Sequence, residues 1–214
     1  CCNFPETISH LPEGKANLTG SPIRAELLSG NKDEARKFCG FSDDKPVVLI
    51  IGGSLGAAAV NDAVRKILPQ LLPKYNVIHL CGKGKLDESL KGTAGYVQYE
   101  YIKKELADLF ALADVVISRA GANAICELLA LKKPNILIPL PAAASRGDQI
   151  LNANSFKKQG FSEVIDEEEI TDDLLLETIN NVYNNRSKYV EAMEKSPQQN
   201  GVEAVISLIK EVTK

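Results

Sequence analysis

The hydrophobic positions fall into short, continuous apolar runs separated by longer stretches with helical spacing. Pro46-Val47-Val48-Leu49-Ile50-Ile51 and Ala113-Asp114-Val115-Val116-Ile117 predict buried strands, and Asn76 to Cys81, Tyr96 to Tyr99 and Asn135-Ile136-Leu137-Ile138 predict three more strands, that at Tyr96 short. Between them, Ala58 to Leu72 places Val60, Val64, Ile67, Leu68 and Leu71 on one face of a helix. Lys103 to Leu112 and Ile125 to Leu131 predict two more helices. Repeated alternation of strands with helices predicts an α/β fold, a Rossmann-like parallel sheet with helices on both faces. Ligands of such sheets gather at the carboxyl ends of the strands. The first stretch of the chain, punctuated by Pro5, Pro12, Gly14, Gly20 and Pro22, reads as loop, and Thr171 to Lys214 reads as helical with a break around Ser196-Pro197 and Gly201. Cys1-Cys2-Asn3-Phe4 reads like the middle of a strand without a lead-in, so the chain is expected to be part of a longer protein.

Composition narrows the picture. With 214 residues, 44% of them hydrophobic and 25% charged, one core is expected, in a single domain over 1–214 whose last helices span about 171–214. A formal net charge of -3 argues against nucleic acid as the main partner. No run approaches the roughly 18 apolar residues of a spanning helix, no secretory signal opens the chain, and the expected location is cytoplasmic. The five cysteines show neither zinc nor redox spacing and read as reduced small hydrophobes. No D-x-D pair is present, so no metal is expected. His10 and His79 are isolated and carry no assigned role, and Asp166 to Glu169 reads as a solvated acidic turn.

The candidate chemistry lies in two turns from strand to helix. Ser118-Arg119-Ala120-Gly121-Ala122-Asn123-Ala124 follows one predicted strand with small residues, which leaves the first N–H groups of the next helix open to an anion at the positive end of its dipole. Glu127 sits about five residues inside that helix, about 8 Å along its axis, a spacing suited to ribose hydroxyls when phosphates occupy the helix start. Gly52-Gly53-Ser54-Leu55-Gly56-Ala57 is the second turn; it matches neither the G-x-G-x-x-G fingerprint nor a P-loop, and a tight turn without a ligand is the alternative. Both turns are expected at the same edge of one sheet, where they can share a pyrophosphate. Arg24, after Gly20-Ser21-Pro22-Ile23, is positioned for a phosphate oxygen or for a surface salt bridge. Asp148, Gln149 and Asn152 are suited to sugar hydroxyls, or else to the start of a capped helix.

Together, Phe4-Pro5-Glu6-Thr7, Gly20-Ser21-Pro22-Ile23-Arg24, Gly52-Gly53-Ser54-Leu55-Gly56-Ala57 with Asn61, Arg119-Ala120-Gly121-Ala122 with Glu127, and Asp148-Gln149 with Asn152-Ala153 resemble the MurG family of bacterial glycosyltransferases, family 28. The resemblance covers only that family's C-terminal, donor-binding half. It implies half of a GT-B fold and an inverting transfer of N-acetylglucosamine from UDP-N-acetylglucosamine to the muramoyl 4-hydroxyl of lipid I, giving lipid II for peptidoglycan and cell-wall synthesis. It further implies that Arg24 and Ser54, with Gly53, Leu55 and Gly56, meet the diphosphate, and that the backbone at Tyr101 and Ile102 reads uracil with Leu106 packed nearby. Gly121, Ala122, Asn123 and Ala124 would wrap the α-phosphate, Glu127 would hold the ribose, and Asp148, Gln149 and Asn152 would read the sugar. Ala124 departs from relatives that carry threonine there. UDP-N-acetylglucosamine is implied as substrate, with no cofactor. The acceptor lipid, the catalytic base and contact with the inner face of the plasma membrane are implied for an N-terminal domain absent from this chain, which alone is expected to be inactive. The alternatives are a UDP-sugar-binding subunit of a two-subunit lipid-linked sugar transferase, a relative with another lipid acceptor such as diacylglycerol, and an epimerase of similar fold.

Overall fold

The computed structural model describes every residue except Ser54, Leu55, Gln199 and Lys214, with Val212 described by its backbone alone. Six strands form one parallel sheet: β1 Val47–Ile51, β2 Asn76–Leu80, β3 Tyr96–Tyr99, β4 Val115–Ser118, β5 Asn135–Leu137 and β6 Ser162–Val164, in the order β3-β2-β1-β4-β5-β6. Val47, Val48, Leu49 and Ile50 of β1 have no exposed surface, because the central strand is covered on both faces. The helices are α1 Pro5–Ile8, α2 Lys32–Cys39, α3 Ala58–Leu71, α4 Leu106–Leu112, α5 Ala122–Ala130, α6 Asp148–Lys158, α7 Asp172–Asn184, α8 Arg186–Glu194 and α9 Gly201–Val212. Right-handed crossovers put α3 on one face and α4, α5 and α6 on the other. Helix α7 returns to pack beside α3 over β4 and β5, while α2 lies on α4. One cluster of buried side chains runs from Ile23 to Met193 through the whole sheet.

Several boundaries differ from the sequence expectation, for physical reasons. Helix α4 starts at Leu106, not Lys103; Lys103 and Lys104 would place two positive charges at the positive end of a helix dipole. Helix α5 starts at Ala122, three residues before the apolar spacing begins, because Gly121 supplies an extended N-cap and the small residues after it join the helix. Cys1 to Phe4 is not a strand: Cys2 makes one isolated bridge to Leu18, and Phe4 precedes the short helix α1. Helix α2, missing from the expectation, is closed at both ends, by the Asn31 side chain accepting from the Asp33 and Glu34 N–H groups and by Gly40 at φ 69°. Strand β6 and the break at Asn185 between α7 and α8 were also not expected.

Candidate functional site

Strands β1 and β4 are neighbours, and the chain winds away from them in opposite directions, through β2 to β3 and through β5 to β6. Their carboxyl ends therefore flank the crevice in which open parallel sheets bind ligands. Both glycine turns lie there. After β1, Gly52 and Gly56 are needed by the turn itself: a Cβ on Gly52 would stand 2.7 Å from the Ala57 nitrogen, and one on Gly56, at φ 67°, would collide with the Cys81 carbonyl oxygen. The Gly56 N–H donates to the Gly53 carbonyl at 3.0 Å. Ser54 and Leu55, both expected at the diphosphate, lie outside the described residues. After β4, Gly121 is the N-cap of α5 at φ −66°, and a Cβ there would meet nothing within 4 Å. The first backbone bond into α5 is Ile125 N–H to the Gly121 carbonyl at 3.1 Å. No side chain caps α5, so the N–H groups of Ala122, Asn123 and Ala124 face the crevice unclaimed by the helix. Helix α3 likewise starts at Ala57 without a side-chain cap.

Arg24 and Glu127, far apart in sequence, meet across this edge: Nη2 of Arg24 donates to Oε1 of Glu127 at 3.3 Å. The loop carrying Arg24 is fastened to the α8–α9 junction. The Gly201 N–H donates to the Ser21 carbonyl at 2.9 Å, Ile23 is buried and donates its N–H to Asn200 Oδ1 at 3.4 Å, and a Cβ on Gly20 would collide with the Gln198 carbonyl. The Arg24 side chain is 65% exposed, so the pair contributes about 1 kcal/mol at most. A phosphate and a ribose can therefore replace each partner for the other at little cost. Of the two expectations for Arg24, the surface salt bridge is the one present, and it lies at the edge that carries both glycine turns.

The remaining predicted residues line up along the same edge. Tyr101 and Ile102 follow β3; Tyr101 is exposed with Lys103 Nζ 5.7 Å from its ring, Ile102 is buried, and Leu106 begins α4. Asp148 and Gln149 begin α6 beyond β5, with Asp148 in the first turn after Gly147, and Asp148 is exposed. The Oε1 of Gln149 accepts from the Leu140 N–H at 3.1 Å, which turns its amide donors toward other partners. Asn152 is buried, and its Nδ2 donates to the Ala120 carbonyl at 3.0 Å. One of its two amide N–H donors therefore braces the turn before α5, and its second N–H and its carbonyl oxygen are left to meet a sugar. An apolar concavity of about 470 Å³ lined by Phe4, Thr7, His10, Leu151 and Asn152 opens beside this helix. From β3 to β5 the row spans four interstrand spacings, about 19 Å, an extended track rather than a compact pit.

Residues 47–209 match the model of the glycosyltransferase family 28 C-terminal domain. The chain belongs to this family. It is 62% identical over 214 residues to a Lachnospira eligens protein named UDP-N-acetylglucosamine--N-acetylmuramyl-(pentapeptide) pyrophosphoryl-undecaprenol N-acetylglucosamine transferase, covering all of this chain and 60% of the relative. It is 60% identical over 210 residues to a Clostridium perfringens protein of the same name, covering 98% of this chain and 59% of the relative. The chain thus spans about 60% of the length of these curated relatives. The crystal structure of Acinetobacter baumannii MurG superposes with a TM-score of 0.67 at 26% identity, over 88% of this chain and 55% of that one. The spinosyn rhamnosyltransferase SpnG, complexed with thymidine diphosphate, shares the fold at TM-score 0.64 and 16% identity, over 96% and 54% of the two chains. The GT-B half expected from the sequence is therefore present.

Within this family-28 domain, two residues make a pair that the sequence does not predict. Arg119, 12% exposed, donates through Nη1 to the Ile138 and Pro139 carbonyls at 3.0 and 3.2 Å and through Nη2 to the Glu167 carboxylate. It ties the carboxyl ends of β4 and β5 to the segment after β6. Glu167 is thus not part of a merely solvated acidic turn: its side chain is 19% exposed and its carboxylate pairs with Arg119. The signal was an arginine directly after a strand, in a turn otherwise made of small residues. Among the described residues, no group of three or more His, Cys, Asp or Glu side chains comes together to hold a metal ion, and no helix is long and apolar enough to cross a membrane.

Proposed function

We propose that this chain binds the sugar-nucleotide donor of an inverting N-acetylglucosaminyltransferase that converts lipid I to lipid II. The observation that carries the reading is the convergence of two uncapped helix starts, Arg24 and Glu127 on one crevice, in a chain 62% identical to a relative named as that transferase. In this reading uracil sits at the backbone of Tyr101 and Ile102 beside Leu106. The diphosphate lies between the turn of Gly53 to Gly56 and the amides of Gly121 to Ala124, with Arg24 moving from Glu127 to a phosphate oxygen. Glu127 is then free to accept from the ribose hydroxyls. Asp148 and Gln149 orient the N-acetylglucosamine, with the remaining N–H and the carbonyl oxygen of Asn152 in reserve. Ala124 contributes only its backbone donor.

The muramoyl 4-hydroxyl attacks the anomeric carbon from the face opposite the nucleotide. The bond from that carbon to the β-phosphate oxygen breaks, and UDP leaves with the electron pair. Positive charge at Arg24 and at the starts of α3 and α5 stabilises the growing negative charge on the diphosphate without reorganising. The hydroxyl proton passes to a base on the acceptor-binding half of the longer protein, which would also meet lipid I at the inner face of the plasma membrane. The chain supplies no cofactor of its own. Calorimetry with UDP and UDP-N-acetylglucosamine, together with a lipid I transfer assay, tests this division of labour. The expected result is saturable binding of both nucleotides without turnover by this chain alone. Folded protein that binds neither, or that transfers sugar unaided, overturns it.

A further inference from the structure

Behind the turn that follows β1, the core holds a line of polar side chains with no part in the reading above. His79 on β2 is fully buried, and Asn61 in the first part of α3 and Tyr96 at the start of β3 are 1% and 3% exposed. Asn61 Nδ2 donates to the Cys81 carbonyl at 2.9 Å. A carbonyl oxygen only accepts, so the carboxamide has one orientation, and its Oδ1 faces His79 Nε2 at 2.9 Å. That ring nitrogen carries the proton. Nδ1 is then the acceptor, and the Tyr96 hydroxyl donates to it at 3.0 Å. Each link has a single direction, from Tyr96 to His79 to Asn61 to the Cys81 carbonyl. Burial, followed by the Arg65 charge, pulls the His79 pKa down to about 3, which keeps the ring neutral and the line intact.

The end of the line explains its place. The Cys81 carbonyl is the group against which Gly56 packs so closely that no side chain fits. Gly56 closes the turn on Gly53, and the Asn61 N–H donates to the Ala57 carbonyl at 2.8 Å, so Asn61 fixes both the start of α3 and the end of β2. Burying three polar side chains carries a desolvation cost that an apolar trio would avoid. What a fully satisfied line offers in exchange is fixed geometry.

We propose that His79 and Asn61 are positioning residues for Gly56 and the start of α3, holding the Cys81 carbonyl and through it this side of the seat of the donor's diphosphate. The inference rests on the reading of the turn from Gly53 to Gly56 as the diphosphate site. Dissociation constants for UDP and for uridine, measured on the wild type, His79→Leu, His79→Gln and Asn61→Ser alongside thermal unfolding, test it. His79→Leu is expected to weaken UDP binding about tenfold, as loss of a buried hydrogen bond does, and to leave uridine binding unchanged. His79→Gln, which can still donate to Asn61, recovers most of the affinity. Asn61→Ser weakens UDP in the same selective way and carries the test should the leucine variant fail to fold. A purely structural role lowers the folded fraction and affects both ligands alike. Equal losses for UDP and uridine, or UDP affinity within about twofold of wild type in folded variants, overturn the proposal. Wild-type protein that binds no UDP overturns the proposed function instead, so the two failures are distinct.

Discussion

A side chain added at Gly56 would collide with the Cys81 carbonyl, whereas one added at Gly121 would meet no atom within 4 Å. Gly56 also sits at φ 67°, where side chains are strained, while Gly121 at φ −66° is open to any residue. The two turns occupy equivalent places, after β1 and after β4, at one crevice. Their supports differ as well. The first rests on an uncharged line through Asn61 and His79, the second on the Arg119–Glu167 ion pair and on Asn152. A glycine that the fold itself requires says little about a ligand. One that neither the backbone nor the packing requires leaves room for something else to approach, and here that room lies over an uncapped helix start.

The sharpest way to break this contrast is to fill both positions. Gly56→Ala is expected to destabilise the fold by about 3 kcal/mol, from strain at positive φ and the collision with backbone. Gly121→Ala is expected to change stability by no more than about 0.5 kcal/mol, while UDP binding weakens. Denaturant unfolding of the two variants decides it, and similar losses of stability would erase the distinction. The next largest effect probes the second turn's support. Arg119→Ala leaves the Glu167 carboxylate and two carbonyls without their donor and is expected to cost about 2 to 3 kcal/mol. Glu167→Gln, which keeps an acceptor for Arg119, should cost less in the same experiment.

A smaller effect separates the first turn's support from the second. His79 titrates near 6.5 when unfolded but is pulled down to about 3 when folded, by burial and then by Arg65. Between these values the unfolded chain takes up a proton that the folded chain refuses, so stability present above pH 6.5 is lost as the pH falls toward 3. The slope approaches about 1.4 kcal/mol per pH unit. Chemical denaturation at pH 7 and pH 5 should show this loss in the wild type and a shallower one in His79→Gln; identical slopes would mean that the ring is not held neutral.

Much of this was legible in the sequence. Apolar runs marked β1, β4 and β5 most clearly, since a strand covered on both faces leaves no polar alternation to misread, and β2 and β3 were still legible with His79 and Gln98 within them. Strand β6, three residues long with Ser162 and Glu163 among them, carries no such run. Helix α2 was missed although its signals are present, Asn31 before Asp33 and Glu34 at one end and Gly40 at the other; its apolar face is too thin to announce it. At the site, residue types and order were enough to group Arg24, Gly121, Glu127 and Gln149 at one edge. What they could not convey was pairing across the fold. The meeting of Arg24 with Glu127, the commitment of the Asn152 amide to Ala120 and the clamp from Arg119 to Glu167 all join residues at least 30 positions apart.

If the crevice between β1 and β4 holds a nucleotide diphosphate, Glu127 is the side chain whose loss is felt there most directly. Its carboxylate pairs with the exposed Arg24, a contact worth about 1 kcal/mol at most, so Glu127→Ala should leave the unfolding midpoint close to that of the wild type. Calorimetric titration of UDP into both proteins should show one site in the wild type. In the variant the affinity should be weaker by about 1 to 3 kcal/mol, the loss expected for hydrogen bonds to a charged group. Equal affinity in two folded proteins would contradict the assignment of this edge.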